Sequence, residues 1–264
     1  MSEVTTLAEG RVTHERVDHI LKITIDNPAK KNSFSPDMMQ QLSAALTLLE
    51  DDPELWVGVI GAAGADFTAG LDMPRFFGPT ATAKPIPPGN VDPFGLARRA
   101  TKPIITAVQG ITFTIGIEIA LAGDIVVAAD DARFCQMESK RGIAPLGGAH
   151  FRYITRAGWG DAMYHLMLCD EFGAEEARRI GLVQEVVPAG TQFDRAMELA
   201  AIVARNAPLG IQVTKIAGRK FIEAGEEAAV AFIPQIRDRV MTSRDMMEGI
   251  QSFVERREAR FEGR

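Results

Sequence analysis

Two glutamates lie where a charged side chain is hard to place. Glu118 sits in "TIGIEIALAG" between Ile117 and Ile119, and Glu138 sits in "FCQMES" at the end of an apolar run. A carboxylate buried without a partner is costly, so such a group finds an ion-pair partner, takes up a proton, or faces a pocket. Arg133, Lys140 and Arg141 are the nearby cations that would make either glutamate a structural ion pair. The other outcome is a pair of carboxyls doing acid/base work, one accepting a proton and the other giving one. Glu118 and Glu138 are 20 residues apart around one apolar strand, which favours the paired site.

Two glycine-bearing turns accompany them. "DFTAGLDM" (Asp66 to Met73) comes after the apolar run "WVGVIGAAG", and "AVQGITFTIGIEIALAGD" repeats the logic with Gly110 and Gly116. A buried strand that turns into a helix leaves backbone N–H groups exposed at the helix start, where they carry partial positive charge. Either turn alone is also what a plain tight bend looks like. Two of them in one parallel sheet can face each other at the carboxyl ends of neighbouring strands, the usual ligand position in open α/β sheets. Two converging N–H groups would make an oxyanion hole.

The elements around these residues have the matching order. "RVTHERVDHILKITIDNP" alternates as a two-stranded hairpin. Ser35-Pro36-Asp37 opens a helix carrying Met38, Leu42, Ala45, Leu46 and Leu49 on one face, and Asp52-Pro53 closes it. Strand, turn and helix then recur with a period of roughly 45–50 residues, which predicts parallel strands joined by right-handed crossovers. Residues 78–93 hold five prolines in sixteen positions and predict an irregular loop. Beyond Gly148 the chain reads as mostly helical, interrupted by the strand "VQEVVP". The final helix aligns Met246, Ile250 and Phe253 on one face, to fold back on the core or to dock on another subunit.

Composition narrows the function classes. The 264 residues are 46% hydrophobic and 24% charged, with a net charge of −6, which speaks against nucleic acid or an anionic membrane as main partner. Cys135 and Cys169 are too few for a disulfide framework or a Cys-rich zinc site, and both predict buried free thiols. The N-terminal "MSEVTTLAEGRV" has no leader pattern, and no run approaches the roughly 18 apolar residues of a spanning helix. A cytoplasmic protein is expected.

Together these segments resemble the crotonase superfamily, the enoyl-CoA hydratase/isomerase family, from "KITIDNPAKKNSFS" to "EGIQSFVERREARF". The resemblance implies an α/β fold: a crotonase-like spiral of ββα units with a C-terminal helical trimerisation region. It places the spiral core and acyl-CoA site in 1–190 and the helical oligomerisation region in 191–264, assembled as a trimer or a dimer of trimers. "FTAGLDM" resembles the first oxyanion turn, with the Leu71 N–H as donor. The Gly-rich turn before Glu118 resembles the second, with Ile115 as donor, and Glu118 and Glu138 match the two catalytic glutamates.

The implied substrate is an acyl-CoA thioester, with coenzyme A as its handle and no metal or redox cofactor. Lys31 (or Lys30), Ala69, Gly70, Leu71, Asp72, Met73 and Leu146 match substrate-binding positions. Hydration is the leading activity. Double-bond isomerisation relying on Glu138, C–C bond hydrolysis on the same scaffold, and a non-catalytic acyl-CoA-binding trimer are the alternatives. Two departures stand out. Thr114-Ile115-Gly116 replaces three glycines, so the Ile115 side chain is expected to narrow the pocket or tilt the donor. Leu146 replaces a glycine of "GxxPGxGGxxR" and is expected to dry and crowd the carboxylates.

Overall fold

The computed structural model describes residues 10–79 and 81–264; the N-terminal stretch read for a leader lies almost wholly outside them. The chain begins with the predicted hairpin, β1 (Arg11–Val17) and β2 (Ile20–Asp26), antiparallel around a two-residue turn. Helix α1 (Pro36–Asp51) starts as its sequence dictates: the Ser35 hydroxyl accepts the Met38 N–H at 3.2 Å, and Pro36 occupies the first position.

Three crossover units come next. β3 (Val57–Ala62) leads to the short helix α2 (Met73–Phe77), and β4 (Ile104–Val108) runs through β5 (Ile111–Phe113) into α3 (Ile115–Ala122). β6 (Ile125–Ala129) is succeeded by β7 (Arg133–Cys135) and α4 (Ala149–Leu168), then β8 (Phe172–Gly173), α5 (Ala174–Arg179) and β9 (Glu185–Val187). Helices α6 (Gln192–Ala204), α7 (Pro208–Met241) and α8 (Arg244–Glu255) complete the chain. Helix α4 is broken by Gly158 at φ 75°, and α7 breaks likewise at Gly225 (φ 79°).

The large sheet has six strands in the order β1-β2-β3-β4-β6-β9, parallel from β2 onward. Both faces are covered, which is why β3, β4 and β6 are apolar without alternation. Met38, Leu42 and Leu46 of α1 join Leu21, Ile23, Ile25 and Ile60 in one core. On the opposite face Phe193, Ala196, Met197 and Ala200 of α6 pack on Val57, Val59, Ile105, Ala107 and Val127. The packing of the sheet therefore runs past residue 190, through α6. Each fully buried Ile or Leu contributes about 1.5–3 kcal/mol, so the strand ends are held by a rigid body. Cys135 and Cys169 are buried and free, as their surroundings predicted.

A second, smaller sheet is built from short segments just beyond the large-sheet strands. β5 and β7 pair in parallel, and β7 pairs antiparallel with β8. Thr68 adds a further rung: its N–H donates to the Ile111 carbonyl at 2.9 Å, and its carbonyl accepts the Phe113 N–H at 3.0 Å.

Candidate active site

The small sheet aligns the candidate residues. Thr68 lies opposite Thr112, and Thr112 opposite Phe134, so one row crosses three successive turns of the spiral. Three residues past Thr68 is Leu71, three past Thr112 is Ile115, and four past Phe134 is Glu138. Neighbouring rungs are about 4.8 Å apart, which places these exits side by side along one edge.

The two turns touch. Gly70 has φ 110°, and a Cβ built there would lie 2.6 Å from Thr114 Oγ1. Gly116 has no room either, since its Cβ would meet Thr68 Cγ2 at 2.6 Å. Both glycines are therefore needed for the approach of the first turn to the start of α3.

The two N–H groups are unspent. Leu71 makes an isolated bridge with Phe34, in which the Phe34 N–H donates to the Gly70 carbonyl (2.9 Å) and the Asp72 N–H to the Phe34 carbonyl (2.8 Å). In such a bridge the central residue's own N–H points away from its partner. Ile115 is the first residue of α3, where N–H groups lack an intrahelical acceptor. Among the described residues no backbone or side-chain acceptor takes either one. The Ile115 side chain is 5% exposed and packed in the main core, so it does not narrow a ligand space as expected.

Glu118 lies one helical turn beyond Ile115 and is 2% exposed. Its Oε1 accepts the Ala149 N–H at 3.1 Å. A Cβ on Gly147 would fall 2.5 Å from its Oε2 and 2.7 Å from Phe94 Cδ1, so glycine at 147 is what lets the backbone close over the carboxyl. Arg152 ties this wall together by donating to the carbonyls of Gly147 (2.8 Å) and Phe94. Burial pushes the Glu118 carboxyl up to about 7, and the field of Glu138 adds to the rise. The Ala149 and Gly147 N–H groups and the Arg152 charge oppose it.

Glu138 opens a 3-10 turn, Glu138–Arg141, and is 8% exposed. Burial raises its carboxyl too, against the Gln136 side chain, whose Nε2 donates to Oε1 at 2.8 Å. The second oxygen of Glu138, Oε1 of Gln136 and the hydroxyl of Tyr153 are buried with no hydrogen-bond partner among the described residues. Tyr153 is fully buried on α4, and its hydroxyl is pushed well above its usual range by burial and then by Glu138.

The structural ion-pair reading of the glutamates finds no support. Arg133 pairs with Glu171 at 2.6 Å, and among the described residues neither Lys140 nor Arg141 bridges to Glu118 or Glu138.

The other expected contact positions fall around the first turn. The Lys31 carbonyl accepts the Ala69 N–H at 2.9 Å while its side chain is exposed, and Lys30 pairs with Asp72 at 3.7 Å. Leu71 and Asp72 are half-buried and Met73 is 40% exposed. Leu146 departs from expectation: it is 72% exposed and does not dry the carboxylates. That role falls to the Gly147–Ala149 backbone, Phe94 and the core around α3. His150 is exposed at the start of α4, with Nδ1 2.9 Å from the Pro145 carbonyl oxygen.

Sequence reasoning missed Thr114, Gln136, Gly147, Arg152 and Tyr153. Gln136 carried a local signal, as a polar residue two before Glu138 on the same buried strand end, and Arg152 closes the motif in which Leu146 stood out. The others depend on contacts between distant parts of the chain.

Known proteins share this fold. Residues 15–264 match the family described as enoyl-CoA hydratase/isomerase. An enoyl-CoA hydratase of Mycobacterium tuberculosis, EchA19, is 32% identical over 95% of this chain and 96% of its own length. The 2,3-dehydroadipyl-CoA hydratase of Escherichia coli is 30% identical over 94% of this chain and 97% of its own. The crystal structure of a probable enoyl-CoA hydratase/isomerase from Mycobacterium abscessus superposes with a TM-score of 0.91 at 40% identity. It covers 96% of this chain and 98% of that one. A spiral fold, a pair of buried carboxyls beside two abutting turns, and these full-length similarities lead to one conclusion: the chain belongs to the enoyl-CoA hydratase/isomerase family and is a hydratase-like enzyme of acyl-CoA thioesters.

Proposed function

We propose that the N–H groups of Leu71 and Ile115 receive the thioester oxygen and that Glu118 and Glu138 add water across the adjacent double bond. The observation that carries this reading is the contact of the two turns at Gly70 and Thr114, with both N–H groups unspent and Glu118 one helical turn away. Donors aimed at a developing oxyanion in a dry site are the strongest single contribution in much acyl chemistry.

Hydration needs one base and one acid. The water oxygen bonds to the β-carbon as one carboxylate takes its proton, the double-bond electrons move toward the thioester, and the other carboxyl delivers a proton to the α-carbon. The pair must therefore hold a single proton. Burial raises both carboxyls, and the charge on Glu138 raises Glu118 further, to about 7, so Glu118 is the member of the pair poised to hold or release that proton near neutrality. The buried oxygens of Glu138, Gln136 and Tyr153 that lack partners would cost stability unless a polar group meets them. The water being added is the natural group.

Coenzyme A is the handle of the substrate. Lys31 is assigned to its phosphates, a role supported by an exposed side chain with no carboxylate partner among the described residues. Ala69, Gly70, Asp72, Met73 and Leu146 are the further residues assigned to contact the substrate in this reading. The reading as a non-catalytic binder drew on Ile115 and Leu146 as obstructions. One is in the core and the other points to solvent, so that motive falls away. Isomerisation relying on Glu138 stays the alternative chemistry.

The assembly proposed is a homo-oligomer, a trimer or a dimer of trimers, in the cytoplasm; the apolar face of α8 supports self-association alone. There Met247 (64%), Ile250 (51%), Phe253 (85%) and Val254 (74%) are exposed. Turnover of crotonyl-CoA, monitored by loss of the conjugated thioester absorbance, tests the function. Glu138→Gln and Glu118→Gln are each expected to lose at least ~100-fold in kcat. Full activity in both variants would refute the assignment.

A further inference from the structure

Thr114 is folded in a way that a threonine resists. Its backbone has φ 49° and ψ −112°, a region that glycine adopts freely and a β-branched residue does not. Such strain persists only where surrounding structure enforces it, and it gathers at functional sites.

The side chain also declines its ordinary task. Thr114 is the N-cap of α3, yet it makes no side-chain cap hydrogen bond. Ser35 and Ser243 do cap their helices, accepting from the Met38 N–H at 3.2 Å and the Met246 N–H at 3.1 Å, while Thr191, at the start of α6, makes no cap bond but spends its hydroxyl on the Pro188 carbonyl at 2.7 Å. The half-buried Thr114 hydroxyl has no hydrogen-bond partner among the described residues. It is turned instead toward the first oxyanion turn, 2.6 Å from where a Gly70 Cβ would stand. Gly70 directly precedes Leu71, and Thr114 directly precedes Ile115. The hydroxyl therefore runs from the residue before the second assigned donor toward the residue before the first.

The geometry points to Thr114 as a catalytic residue whose Oγ–H is a third hydrogen-bond donor to the thioester oxygen. This rests on the oxyanion reading above. A hydroxyl is a donor that can rotate to track the oxygen as charge develops on it, and its bond to an oxyanion is shorter and stronger than to a neutral carbonyl. The strained backbone is what aims the hydroxyl, so stability and activity should move in opposite directions on its removal.

The test uses the full-length enzyme with a cinnamoyl-CoA carrying a para-dialkylamino group. Its absorbance band moves to longer wavelength when the thioester carbonyl is polarised. Wild type is expected to shift the band on binding. Thr114→Val keeps the branched shape without the hydroxyl. It should lose a measurable part of that shift and about tenfold or more in kcat, with KM changed far less. Thr114→Ser should recover most of both. Thr114→Gly should raise the thermal midpoint while behaving like Thr114→Val in kcat. If Thr114→Val keeps the full band shift and kcat, the hydroxyl is not a donor and the inference is overturned. If wild type binds the probe with no shift at all, the oxyanion reading itself fails, which is a different result. Because Thr114→Gly relieves the backbone, loss of folding in the valine variant leaves the serine–glycine comparison to decide.

Discussion

Replacing Glu118 by Gln should change how stability depends on pH. The folded carboxyl is raised from 4.5 to about 7, chiefly by burial. Each tenfold change in proton affinity is worth about 1.4 kcal/mol, so holding the charged form in the folded site costs about 3 kcal/mol. The sign is set by where the proton binds tighter. The folded state keeps it above pH 4.5 while the unfolded chain loses it, so wild-type stability is intact below that range and falls as pH rises through about 7. Glutamine cannot ionise. It retains an oxygen for the Ala149 N–H but presents an NH2 group where the second carboxylate oxygen meets Gly147, a pH-independent penalty of about 1–2 kcal/mol. The quantity to read is therefore the change with pH. Denaturant unfolding at one fixed protomer concentration, from about pH 5 to about pH 8, should show the variant gaining about 2–3 kcal/mol on wild type. A difference that stays flat across this range would mean that Glu118 is not buried against its charge, and the acid/base argument would lose its basis.

Contacts in the site lead to three further outcomes. Gly147→Ala should lower kcat at least tenfold and reduce stability by about 1–3 kcal/mol, because its Cβ would meet Glu118 Oε2 at 2.5 Å and Phe94 at 2.7 Å; turnover and thermal unfolding of the purified variant check both. Leu146→Ala should change stability by no more than about 0.5 kcal/mol and leave the acidic limb of the pH–rate profile in place, because Leu146 is 72% exposed; a moved limb would show that Leu146 does govern the carboxylates. Glu118→Gln should impair crotonyl-CoA hydration far more than double-bond isomerisation of a 3-enoyl-CoA if the isomerase alternative holds, since only hydration needs both carboxyls. Equal losses, seen by chromatography of products from the two substrates, would favour the hydratase reading.

Much of the frame was legible because local chemistry and the fold agree. Ser35-Pro36-Asp37 caps α1 in the manner its residue types dictate, and the unalternating strands β3, β4 and β6 are apolar because helices cover both faces. Glu118 stood out because a carboxyl between two isoleucines has few ways to be satisfied. The misread positions fail for a tertiary reason. Ile115 and Leu146 both replace small residues, and side-chain size alone suggested that both would crowd a ligand. The direction of each side chain is set by the chain path instead, inward to the core for one and outward for the other. Tyr153 and Arg152 lie on α4, more than thirty residues from Glu118, and Thr114 stood out only as a residue in place of a glycine. Nothing local in "TFTIG" reports that its backbone has a positive φ or that its hydroxyl faces Gly70.

The most direct measurement is a crystal structure with butyryl-CoA, a saturated thioester that cannot be hydrated. The thioester oxygen is expected about 3 Å from the N–H groups of both Leu71 and Ile115, with the α- and β-carbons between the carboxyls of Glu118 and Glu138. A thioester bound with its oxygen reached by neither amide, or with its carbons on the far side of α3 from the two glutamates, would contradict it.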